Sequence, residues 1–124
     1  MSYDLQGYKI LVVDDEKDIL ETLKEILEIV GAEPYTAQNG CAAYEAVKEI
    51  EPDIVLCDLA MPVCDGWEFI RLLRGDRSIT VKHVVAFSAH ASMEEDALDA
   101  TFDHFIAKPI APEKLIDFLM DIIA

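Results

Sequence analysis

Four short apolar runs in this chain each stop at a polar residue, and that pattern constrains the fold more than any other feature. Ile10-Leu11-Val12-Val13 ends at Asp14-Asp15, and Ile54-Val55-Leu56-Cys57 ends at Asp58. Val84-Val85-Ala86-Phe87 ends at Ser88, and Phe105-Ile106-Ala107 ends at Lys108-Pro109. Short runs that are apolar throughout, without alternation, mark strands buried on both faces, as parallel sheets require. Amphipathic helices separate them. Ile19, Leu20, Leu23, Ile26, Leu27 and Val30 share one helical face, which Gly31 is suited to end. Ala42, Ala43, Ala46, Val47 and Ile50 form a second stripe after an Asn39-Gly40 turn. Asp65 with Glu68, and Ser92 with Glu95, read as capping boxes that open a third helix and a short fourth one. Pro112 sits in the first turn of a last helix carrying Leu115, Ile116, Leu119, Ile122 and Ile123. Tyr35-Thr36-Ala37 is a weaker strand; Pro34 beside it cannot donate to a ladder, which assigns it to a sheet edge.

Strands and helices thus alternate along the chain. The economical arrangement is α/β: a doubly wound, five-stranded parallel sheet with right-handed crossovers. Pro34 sends the second strand to the edge, and the strongly apolar first and third strands belong in the middle. The resulting order is 2-1-3-4-5, a flavodoxin-like (βα)5 fold, and ligands bind beyond the carboxyl ends of the strands where its connections reverse. A length of 124 residues fits one domain, 1–124, with a core that needs no disulfide or metal. Acidic residues outnumber basic ones 25 to 10, for a net charge of −15, so neither nucleic acid nor a membrane is an expected partner. No apolar run approaches the roughly 20 residues of a membrane helix, and Met1 to Tyr8 hold no apolar leader core. Cys41, Cys57 and Cys64 lack zinc-site spacing and read as reduced thiols of a cytoplasmic protein, Cys57 in the core. His83, His90 and His104 are too scattered for a metal site, and His83 and His104 read as surface residues.

The chemistry gathers at the strand ends. Asp14 and Asp15, Asp58, Ser88 and Lys108 come from four strands to one edge of one sheet. Two carboxylates about 4 Å apart repel by roughly 4 kcal/mol at a surface-like dielectric, so such a cluster takes up protons or holds a cation. All-oxygen donors favour a hard ion, and few carboxylates with room for water and phosphate favour Mg2+. Lys108 can grip a phosphoryl oxygen and Ser88 can donate to one. Singly, each has an ordinary reading: acids at a helix N-terminus, a turn serine, a solvated lysine. Their joint placement is what carries meaning.

Val12-Val13-Asp14-Asp15-Glu16, Asp58-Leu59-Ala60-Met61-Pro62, Asp65-Gly66, Phe87-Ser88-Ala89 and Lys108-Pro109, in that order over essentially the whole chain, resemble the CheY-like receiver domain of two-component and phosphorelay response regulators. The resemblance implies a phosphoacceptor that takes a phosphoryl group from a sensor histidine kinase or a histidine phosphotransfer protein. It makes Asp58 the nucleophile, with Lys108 and Ser88 as the other catalytic groups. It assigns Mg2+ to Asp14, Asp15, Asp58 and the carbonyl of Ala60, with Asp14 acting mainly through water. It makes Ser88 and Phe105 the switch pair and the Lys108–Pro109 bond cis. The fourth helix, fifth strand and fifth helix become the surface that docks a downstream target protein. Such a domain catalyses its own phosphorylation and dephosphorylation without being a conventional turnover enzyme. Ala60 and His90 stand where the family tunes phosphate loss; His90 offers a group to place an attacking water, the methyl of Ala60 does not, and the expectation is slow self-dephosphorylation. Thr101 departs from the glycine the family often has before the fifth strand; a β-branched residue does not suit a left-handed helix end.

Other readings share parts of this pattern. A flavodoxin-like electron carrier needs a hydroxyl- and glycine-rich phosphate loop where this chain has Asp14-Asp15-Glu16, which would repel the flavin phosphate. A phosphatase of the haloacid dehalogenase type needs a second acid two places after the nucleophile, where this chain has Ala60. A pseudo-receiver, folded alike but acting as an unphosphorylated interaction module, usually loses part of the acidic pocket or the lysine, and this chain keeps both. The 124 residues are expected to hold a single receiver domain and no output domain: a complete chain is then a stand-alone regulator, and a chain trimmed from a longer protein lacks its output here.

Overall fold

The computed structural model describes residues 4–124; residues 1–3, the start of the Met1 to Tyr8 stretch read for a leader, lie outside it. The elements alternate as β1 (Lys9–Val13), α1 (Lys17–Ile29), β2 (Glu33–Ala37), α2 (Gly40–Ile50), β3 (Ile54–Cys57), α3 (Gly66–Gly75), β4 (His83–Ser88), α4 (Glu94–Asp99), β5 (His104–Ala107) and α5 (Pro112–Ile123). One parallel sheet joins the five strands in the order β2-β1-β3-β4-β5. Pro34 pairs in register with Ile10 on the edge strand, as its missing N–H requires. Among the described residues no helix is long and apolar enough to cross a membrane.

Side-chain alternation along the central strands divides the core into two layers. Leu11, Val13, Val55, Cys57, Val84 and Ala86 point to one face and pack with residues of α2, α3 and α4, among them Val47, Phe69 and Ala97. Ile10, Val12, Ile54, Leu56, Val85 and Phe87 point to the other and pack against α1 and α5 through residues such as Leu23, Leu27 and Leu115. The four residues of β3 are buried, which accounts for a run with no polar position. Gly31, at φ +90°, follows the last turn of α1, where its N–H and that of Ala32 bond back to Glu28 and Leu27.

Local expectations needed correction in four places. Asn39-Gly40 is not a free turn: Asn39 caps α2, accepting the Ala42 N–H at 2.8 Å, and Gly40 is already helical. The Ser92 capping box does not form, because residues Ala91–Met93 make a 3-10 turn first and α4 starts at Glu94 without a side-chain cap. Asp65 does cap α3 through the Glu68 N–H, but Glu68 turns outward to Arg71 instead of closing the box. His83 and His104 are not lone surface residues; β4 and β5 bring their rings together with Nδ1 and Nε2 3.2 Å apart, and His104 lies edge-on to Phe118. Burial holds the His104 imidazole below its ordinary pKa, and the neighbouring His83 adds to that.

The reduced-thiol expectation is overturned for Cys41 and Cys64, while Cys57 lies in the core as expected. Cys41 and Cys64 are joined by a disulfide, and Cys57 alone is free and buried. The pair is 23 positions apart in sequence, with Cα atoms 5.7 Å apart, a span a disulfide bridges. Sequence spacing carries no trace of this contact, which exists only because α2 and the β3–α3 loop lie side by side.

Thr101 ends α4 at φ +76°, and the N–H groups of Thr101 and Phe102 bond back to Leu98 and Ala97. The family's glycine position is therefore left-handed here, held by a β-branched residue. Replacing Thr101 with glycine removes that strain, and the gain is expected to exceed glycine's extra chain entropy, leaving a net stabilisation of about 1 kcal/mol. Denaturant unfolding of Thr101→Gly beside the wild type measures this; an unchanged or lower midpoint contradicts it.

Candidate functional site

Backbone ladders that run one residue past each strand position the polar groups. Asp14 N–H donates to Ala37 O at 3.1 Å, Asp58 N–H to Val13 O at 2.9 Å, and Lys108 N–H to Ser88 O at 2.7 Å. These bonds hold three side chains against the carboxyl edge of the sheet, where the connections reverse between β1 and β3. Oxygens of Asp14, Asp15 and Asp58 come within 4.8 Å of one another. Asp14 is buried, Asp58 partly so, and Asp15 exposed. Asp14 is fully engaged: one oxygen accepts the Glu16 N–H at 2.9 Å and the other accepts from Lys108 Nζ at 2.8 Å.

Lys108 is the one cation inside this cluster. Its ammonium bonds Asp14 directly and lies 3.6 Å from Asp58, with its side chain only 16% exposed. It also sits 5.0 Å from the centroid of the Phe87 ring. Three carboxylates against one ammonium leave the site with surplus negative charge. Burial pushes the Asp58 carboxyl above its ordinary pKa; Lys108 opposes this, and the charge of Asp14 adds to it. An all-oxygen donor set with unbalanced negative charge fits a hard divalent ion such as Mg2+.

The remaining expected residues fall around this cluster. Ser88, 2% exposed at the end of β4, accepts the His90 N–H at 3.1 Å. Ala60 is exposed in the β3–α3 loop, its N–H 3.4 Å from Asp58 Oδ1. Phe105 is half-buried on β5 and packs against the same core layer as Trp67, which meets Phe102 edge-to-face. The Lys108–Pro109 bond is cis. Sequence reasoning missed what supports the loop. Leu59 and Met61 are buried anchors, and Gly66 bonds Leu59 O at 3.0 Å in a place where any Cβ would overlap the Asp58 carbonyl. A groove of about 320 Å³, lined by Ile19, Thr22, Leu23, Phe87, Pro109 and Ile110, opens beside Lys108.

Residues 10–120 match the family model of the response regulator receiver domain. The chain is 32% identical over 113 residues to the DNA-binding response regulator MtrA of Mycobacterium bovis, covering 91% of this chain and 49% of that protein. It thus spans about half the length of the curated relatives it matches. Chemotaxis protein CheY4 of Vibrio cholerae has the same fold, with a TM-score of 0.85 at 24% identity, covering 93% of this chain and 98% of that one. Response regulator protein TrrA of Thermotoga maritima, solved in complex with Mg(2+)-BeF, aligns with a TM-score of 0.81 at 28% identity over 93% of this chain and 98% of that one.

The raised pKa of Asp58 carries a sign that can be tested. A carboxyl that holds its proton more tightly when folded costs stability once it ionises, so the cost grows as pH rises above the ordinary carboxylate range. In a chelator, at pH 7, Asp58→Asn is expected to be more stable than the wild type by about 1 kcal/mol, because it removes a carboxylate ionised in a partly buried place and, secondarily, its repulsion by Asp14. The gap should close near pH 3, where Asp58 is protonated in both states. Thermal unfolding of the two proteins across that range decides it; equal midpoints at pH 7 would remove this cost of ionising Asp58 from the account.

Proposed function

The chain belongs to the response regulator receiver family, and from that premise we propose that it is a phosphoacceptor whose Asp58 takes a phosphoryl group from phosphohistidine on a sensor kinase or phosphotransfer protein. The observation that carries this reading is the meeting of Asp14, Asp15 and Asp58 with the Lys108 ammonium at one sheet edge. Asp14, Asp15, Asp58 and the Ala60 carbonyl are the groups to hold Mg2+. Bound there, the ion would neutralise the carboxylates and draw charge from phosphoryl oxygens.

This chain's own residues do the rest. An Asp58 oxygen attacks phosphorus, the P–N bond breaks, and the donor imidazole leaves with its electron pair. Charge in such a transition state spreads over the equatorial oxygens, so positioned cations and donors supply most of the catalysis. Lys108, already within 3.6 Å of Asp58, shifts toward a phosphoryl oxygen. Ser88 accepts from His90 and keeps its own proton to donate to the same group. Ser88 and Lys108 terminate β4 and β5, so their movement, together with Phe105, reaches the α4–β5–α5 surface where a target protein docks. A net charge of −15 favours protein partners over nucleic acid for this segment.

Intact mass after incubation with a small acyl phosphate tests the reading. One phosphoryl group is expected with Mg2+, none in chelator, and none on Asp58→Asn. With only a methyl at Ala60 and no polar atom there to place an attacking water, the modified chain should outlast seconds at neutral pH; decay within seconds would overturn that role for Ala60. No addition to a folded wild type would make the chain a pseudo-receiver.

A further inference from the structure

The disulfide lies at the foot of the site, and the phosphoacceptor chemistry has no use for it. It ties the first turn of α2 to the loop that starts at Asp58, carries Ala60 and ends at the Asp65 cap of α3. We propose that Cys41 and Cys64 form a thiol–disulfide switch that sets how firmly the metal-binding loop is held, exchanging with small thiols and disulfides of the glutathione type. The proposal rests on the receiver reading, because it assigns the loop its Ala60 ligand.

Three features of the fold support a switch over a passive staple. First, the loop has few other restraints near Cys64. Its backbone is tied by Gly40 N–H to Cys64 O at 2.7 Å and by Cys64 N–H to Pro62 O at 2.8 Å. Val63, between them, is 101% exposed and sits at φ +71°, a conformation that a β-branched residue holds only when its surroundings impose it. Cutting the neighbouring disulfide removes one of those impositions.

Second, the two sulfurs differ in access. Cys41 is exposed, and Cys64 is 3% exposed. A small thiolate therefore reaches Cys41 Sγ, the Cys41–Cys64 bond breaks, and Cys64 leaves as thiolate. A second thiolate then frees Cys41, and the two external thiols leave as one disulfide. Oxidation runs in reverse: the Cys41 thiolate, stabilised by the amide dipoles at the start of α2, attacks an external disulfide and expels one thiolate. Cys64 then displaces the second. Third, nothing competes. Cys57 is fully buried, out of reach of an external thiolate, which keeps it out of exchange.

The full chain is equilibrated with glutathione at set ratios of oxidised to reduced form, and free thiols are counted by alkylation of the unfolded chain. One thiol, Cys57, is expected at the oxidised end and three at the reduced end. Mg2+ is then titrated into each form, followed by calorimetry and by Trp67 fluorescence, and phosphorylation by a small acyl phosphate is read by mass. The oxidised form should bind Mg2+ about threefold more tightly or better, because its loop is already ordered. Cys41→Ser, a change at an exposed position, should bind like the reduced form at every ratio. Three thiols at every ratio, or equal Mg2+ affinity in the two forms, overturns the switch while phosphorylation of Asp58 keeps the receiver. A redox-dependent Mg2+ affinity with no phosphorylation in either form does the opposite: the switch stands and the receiver reading falls.

Discussion

A parallel strand between two helical layers has no solvent face, so this molecule can show polar chemistry only where its strands end. β1, β3 and β4 are apolar almost throughout because both of their faces are core. Asp14 and Asp58 follow their strands and Ser88 ends its own; there a polar side chain finds partners beyond the sheet, Asp14 and Ser88 while still buried and Asp58 partly so. The strand order then decides which ends are neighbours. Since β1 and β3 pair directly, the acids that follow them meet; since β4 and β5 pair next, Ser88 and Lys108 complete the ring.

That meeting has an electrostatic cost, and it shapes the site. Lys108 bonds Asp14 at 2.8 Å, so the one cation of the cluster spends its closest contact on the most buried acid. Asp58 is left partly desolvated with weaker compensation, which is why burial dominates its protonation. A residue in that condition has a reason to take on a cation or a covalent phosphoryl group that brings further donors to it. The same imbalance lies at the roots of β4 and β5, where Lys108 sits between two carboxylates at 2.8 and 3.6 Å.

Much of this was legible in the sequence, and the rest was hidden for identifiable reasons. Periodicity carried the layers, because Leu11 and Val12 must face opposite ways in any buried strand. Pro34 carried the edge, and the polar residues after each run carried the cluster. Helix starts were less readable. Asn39 caps a helix that hydrophobic spacing began later, and Ser92 is absorbed into a 3-10 turn, since local hydrogen bonding decides such ends within a residue or two. Contacts between elements far apart in sequence left no local mark: the Cys41–Cys64 bond and the His83–His104 pair follow from the register of the finished sheet. The role of each site residue comes from the family resemblance, not from geometry.

Pro34 has one more effect. Glu33 N–H donates inward to Tyr8 O, so on the same strand the backbone groups of Pro34 face outward. Of the outward positions in β2, only Thr36 then offers an amide to a passing strand. An open sheet edge is a template for polymerisation, and a five-stranded sheet rich in valine and isoleucine would be a good one. Pro34 thus removes one of the two outward amides of β2, and this edge is a poorer template for an added strand than its apolar neighbours would be.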